Sequence, residues 1–140
     1  MLIKEFISET NKNKMISDLL KYYKVGSVKV KQRSMKDHAH YNVDTGTLEL
    51  STRYKTIKNR QIKEFLITIL HEIYHAMDAK KYGWKNFKDM YEMEIAHWQA
   101  ENPGKEDDWY KHLSFEIEAE EFGQKNWTKW KNKFKKQGLI

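Results

Sequence analysis

Cysteine is missing from all 140 residues, so neither a disulfide framework nor a thiolate metal site can form. Cysteine-based zinc fingers are thereby excluded, and histidine and carboxylate remain as metal ligands. The composition is compatible with a reducing cytosol. Proline occurs once, at Pro103, and no repeat or low-complexity linker divides the chain, so a single domain over residues 1–140 is expected. Long apolar runs are lacking too. The longest, Phe65 to Leu70, contains Thr68 and falls far short of the roughly 20 residues a membrane span needs. Residues 1–10 lack the apolar core of a signal peptide. The expectation is a cytoplasmic protein with no membrane partner.

What is present suffices for a core, with 39% apolar and 14% aromatic residues. The formal charge of +6, from 26 basic and 20 acidic residues, admits nucleic acid or an acidic partner. Much of that excess lies in the last fifteen residues, where lysines interleave with Trp127, Trp130 and Phe134. Basic and aromatic residues together suit single-stranded nucleic acid. Here, however, helical periodicity puts the aromatics on one apolar face and the lysines on a solvated one. Nucleic acid is therefore not the favoured partner.

The apolar pattern predicts a helix from Thr10 or Asn11 to Tyr23, stopped at Gly26. Alternation over Ser27–Arg33, His38–Val43 and Thr47–Ser51 predicts three strands, the last two joined by a hairpin at Asp44, Thr45 and Gly46. A long helix should follow from Lys58 or Arg60 to Lys81, closed by Gly83, and another from Asn86 to Gln99. A final helix is expected from an N-cap at Asp107 or Asp108 to Lys136. This order predicts an α+β fold, with a small antiparallel sheet of about three strands packed on two long helices.

On the first of those long helices lie His71, Glu72, Ile73, Tyr74 and His75, an HExxH pattern. Residues four apart sit one turn apart on one face, so both imidazoles can reach the same ion. Zinc takes two such nitrogens and a third protein ligand, keeping a position for water whose pKa it lowers to about 7. Glu72 lies about 100° round the helix, where it can act as general base. Asp78 is on the metal side of the helix and is either a support for a ligand or a surface acid.

The third ligand must come from elsewhere, because Asp78 and Lys81 stand where the metzincin continuation needs glycine and histidine. Candidates are His97, His112 and the acids Glu116, Glu118, Glu120 and Glu121. At 100° per residue, Glu116 and Glu120 share the apolar face of the last helix with Ala119, Gly123, Trp127 and Trp130. Glu118 points the other way. A carboxylate on an apolar face is costly unless paired or metal-bound, which favours Glu116 as ligand. Glu120 could orient a histidine. Ala119 and Gly123 would let the two long helices approach closely. His112 shares the face and stays an alternative ligand or a stabiliser of the tetrahedral intermediate. Tyr41, Tyr82 and Tyr110 are candidate oxyanion donors.

These residues resemble those of gluzincins, zincin-like peptidases with HExxH and a later glutamate, and most of all the small ImmA/IrrE family and its phage or mobile-element relatives. The resembling segments are residues 47–51, 70–76 and 115–123. Glu116, Ala119, Phe122 and Gly123 match the order of the family's later motif, which implies Glu116 as zinc ligand. The resemblance implies a zinc metalloendopeptidase acting on peptide or protein, with substrate laid along an edge strand supplied by residues 39–43 or 47–51. The gap between His75 and Glu116 is longer than in many gluzincins, so residues 84–109 should form a lid or side lobe. Two other readings stand beside this one. They are a SprT-like DNA-associated protease using a third histidine, and a non-catalytic protein whose metal only supports structure.

Overall fold

A computed structural model describes residues 6–140, the side chain of Glu106 excepted. The elements run β1 (Phe6–Ile7), α1 (Glu9–Tyr22), β2 (Lys29–Arg33), β3 (Ala39–Asn42), β4 (Thr47–Ser51), β5 (Ile57–Lys58), α2 (Ile62–Tyr82), α3 (Trp84–Glu101) and α4 (Ser114–Lys136). The fold is α+β, as the order of patterns predicts. Among the described residues no helix is long and apolar enough to cross a membrane.

The three-stranded sheet has the order β2-β4-β3. Its hairpin forms as expected, with β3 antiparallel to β4 and Tyr41 opposite Leu48. The expectation of an all-antiparallel sheet needs correction, because β2 pairs with β4 in parallel, Val30 opposite Leu48. Alternation determines which side chains face the core, not which strand is the neighbour. Here β4 inserts between β2 and β3, so β3 becomes an edge. β1 and β5 form a separate antiparallel pair.

Leu48 and Leu50 point from β4 into the core, where they are fully buried with Phe65, Leu66, Ile69, Leu70 and Ile73 of α2. Glu49, between them, turns to the other face and pairs with Arg33 at 2.9 Å. The sheet therefore covers one side of α2, and α4 covers another. A Cβ built on Gly123 would lie 2.8 Å from the Ile67 carbonyl oxygen, so only glycine permits this approach. Ala119 beside it is fully buried. Trp130 and Phe134 are also fully buried, and the Trp130 indole N–H donates to the Tyr23 hydroxyl at 2.9 Å. Lys129 and Lys133 lie over the Tyr22 ring at 4.7 and 5.6 Å. The C-terminal aromatics thus belong to the core and the lysines to the surface.

The last helix begins later than its pattern suggests. Residues 106–108 and 110–112 form short 3-10 turns, and Leu113 at the N-cap is extended, with ψ 135°. Leu113 has no side chain to cap a helix. Glu94 of α3 does so, accepting from the Ser114 N–H and, at 2.8 Å, from its hydroxyl.

Candidate metal centre

Helix α2 holds His71, Glu72 and His75 at a buried level, each less than 10% exposed. Their ligand atoms lie within 4.8 Å of one another, and the group can hold a metal ion. Glu116, carried by α4 and 5% exposed, comes closer still. One of its oxygens, Oε1, lies 2.8 Å from the Nε2 of both His71 and His75. Two turns of one helix and the first turn of another therefore converge on a single oxygen.

The electrostatics explain the convergence. A carboxylate only accepts hydrogen bonds, so Glu116 selects positive charge or N–H at both Nε2 atoms. Burial works against its ionised form. Hydrogen bonds from His71 and His75, the charge of His75 and the Tyr91 hydroxyl outweigh burial and hold its pKa well below the carboxylate range. For His71 burial pulls the pKa down, but the hydrogen bond to Glu116 and the charges of Glu72 and Glu116 push it up to about 9. Its other nitrogen, Nδ1, lies 3.0 Å from Glu120 Oε2. A divalent cation at Nε2 would meet the same demand for positive charge, with Glu120 then fixing the ring through Nδ1–H.

Among the described residues, the buried side-chain polar atoms without a hydrogen-bond partner are His75 Nδ1 and Asp78 Oδ2. They lie three residues apart on α2. The bond that Glu120 makes to the first histidine therefore has no counterpart at the second, although the charge of His75 is felt at Asp78. Two nitrogens and one oxygen, with no sulfur, form the donor set of a borderline first-row cation. Ligand atoms around a zinc-sized ion stand about 3.3 Å apart, so a small outward movement of the three groups accommodates one. The residues fit a metal.

Glu72 differs from Glu116 in its surroundings. Burial raises its pKa, opposed by the charges of His75 and His71 and supported by that of Glu116. A carboxylate shifted upward from its usual range is closer to the proton affinity a base needs at neutral pH.

Above these groups lies a groove of about 1030 Å³, walled by β3 on one side and by Phe87, Tyr91 and Tyr110 on another. Two of its lining residues, His38 and Glu64, meet at the Tyr54 hydroxyl, which donates to Glu64 at 2.6 Å and lies 2.9 Å from His38 Nδ1.

Of the residues singled out in the sequence, His71, Glu72, His75, Glu116 and Glu120 come together, and Asp78 lies below them. His112 does not join them. It stacks on Trp98 with centroids 5.0 Å apart, turned away by the extended backbone at Leu113. His97 is exposed and pairs with Glu101 at 3.2 Å. Of the three tyrosines, Tyr110 places its hydroxyl 3.5 Å from His71 Nε2, Tyr41 lines the groove and Tyr82 is at the surface. Glu118 is exposed and accepts from Tyr74 at 3.2 Å. Sequence reasoning missed Tyr91, whose hydroxyl donates to Glu116 Oε2, and His40, which lines the groove on β3. The spacing of Phe87, Tyr91 and Ile95 marks one face of α3, but nothing in it selects the partner.

Comparison of the chain with family models, with curated proteins and with solved structures found no match.

Proposed function

We propose that the chain is a zinc-dependent metallopeptidase of gluzincin type, with His71, His75 and Glu116 as ligands and Glu72 as general base. The observation that carries this reading is the meeting of both Nε2 atoms at one Glu116 oxygen, 2.8 Å from each, below an open groove.

Zinc held there supplies Lewis acidity, lowering the pKa of water towards about 7 and polarising a carbonyl oxygen. The chain's own residues do the rest. Glu72 takes a proton from water as the water oxygen adds to the peptide carbonyl carbon. It returns that proton to the amide nitrogen as the C–N bond breaks, leaving a carboxylate and an amine. The Tyr110 hydroxyl, 3.5 Å from His71 Nε2 and bonded to Glu116, would turn from that carboxylate to donate to the oxyanion that forms between those steps. β3 is an edge strand of its sheet and, unlike the other edge β2, lines the groove, so an extended peptide can add to it through backbone hydrogen bonds. The alternative that needs a third histidine has little support, because His112 is occupied with Trp98.

Glu72→Gln tests the proposal. It keeps the shape of the side chain but cannot take a proton, so zinc should be retained while cleavage of a peptide library falls at least about 100-fold. Unchanged cleavage would remove Glu72 from the mechanism.

A further inference from the structure

As a metal ligand, Glu116 would need something to keep it bound through one oxygen. A carboxylate can bind a cation through one atom or both, and the second mode uses a position that water or substrate would take. The two oxygens of Glu116 have different partners. Oε1 faces the two imidazoles, whereas Oε2 accepts from the Tyr91 hydroxyl.

Tyr91 is not free to follow the carboxylate. Its ring stacks on Phe115 with centroids 5.9 Å apart and meets Phe87 at 6.1 Å and Trp109 edge-on at 6.2 Å. The direction of the hydroxyl is therefore set by packing. One turn further along α3, Glu94 caps the first turn of α4, the turn that carries Glu116. Two side chains of α3 thus hold the same turn of α4. Phe87 is the one buried residue of α3, and these polar grips add to the packing of the helix on α2 and Phe115.

We propose that Tyr91 is a positioning residue that holds Glu116 in one-oxygen coordination, and that α3 is thereby a working part of the metal centre. The proposal rests on Glu116 being a ligand. Tyr91 touches no reacting atom; it acts by engaging Oε2, so that Oε1 alone meets the metal and a position stays open.

The test is Tyr91→Phe, which keeps the ring contacts and removes only the hydroxyl. Should it fold poorly, crystals of the zinc-loaded wild type carry the test, and both Glu116 oxygens at bonding distance from the metal would overturn the proposal. Zinc affinity is measured by chelator competition, and the coordination number by the visible spectrum of the cobalt(II)-substituted protein. Loss of the hydroxyl should lower zinc affinity roughly 10- to 100-fold. It should also weaken the cobalt bands, as four-coordinate geometry gives way to five. Tyr74→Phe, whose hydroxyl bonds Glu118 at 3.2 Å, should change neither. A Tyr91→Phe protein with unchanged affinity and cobalt spectrum overturns the role of Tyr91 and leaves Glu116 as ligand. A wild-type protein that binds neither metal overturns this inference and the metallopeptidase reading together.

Discussion

Gly123→Ala separates two reasons for a glycine in the middle of a helix. On propensity alone, alanine should stabilise α4 by about 1 kcal/mol. The structure opposes that gain. The added methyl would sit 2.8 Å from the carbonyl oxygen of Ile67 and 3.2 Å from its Cγ2. The carbonyl belongs to the backbone of α2 and cannot rotate aside, so the helices must part by about half an ångström. Overpacking of this kind costs about 1–3 kcal/mol, which more than offsets the gain from propensity in most of its range. A net loss of up to about 2 kcal/mol is expected, a fall of as much as roughly 8 °C in melting temperature for a chain of this size. Urea unfolding followed by circular dichroism measures it, with an unchanged m-value indicating that the loss is one of stability. Gly123→Val should lose more. A Gly123→Ala protein about 1 kcal/mol more stable than wild type, the full gain from propensity, would refute the close approach of α4 to α2.

Two further variants probe the support of the site and of the core. Glu120→Ala removes the 3.0 Å bond to His71 Nδ1 from a half-exposed position, so zinc affinity in chelator competition should drop roughly tenfold while the melting temperature of the metal-free protein hardly moves. Trp130→Ala empties a fully buried site and strips Tyr23 of its indole donor, costing about 3–5 kcal/mol by urea denaturation. A Trp130→Ala loss under about 1 kcal/mol would show that the C-terminal aromatics are not part of the core.

Much of the site is legible in the sequence because both of its helices are regular. Four-residue spacing places His71 and His75 together, and the phase of α4 sets Glu116 and Glu120 on the face that meets α2. Phase fails where the helix does. Carried back through residues 107–113 it assigns His112 to the face of Glu116, but the chain there is two short 3-10 turns and an extended Leu113. Tyr110 reaches the site in its place. Strand alternation likewise identifies Leu48 and Leu50 as core residues, yet cannot tell that β4 lies between β2 and β3. Tyr91 was hidden for a third reason. Its role depends on a carboxylate from α4 and on rings from two helices, contacts between distant parts of the chain that no local pattern encodes.

In the proposed enzyme one divalent ion is held by two imidazoles of α2 and one carboxylate of α4. Anomalous diffraction at the zinc edge, on crystals of the zinc-loaded protein, tests it most directly. One zinc is expected, bonded to Nε2 of His71, Nε2 of His75 and a single oxygen of Glu116, with one further position not taken by the protein. A zinc bound elsewhere, or one closed by four protein ligands, would contradict it.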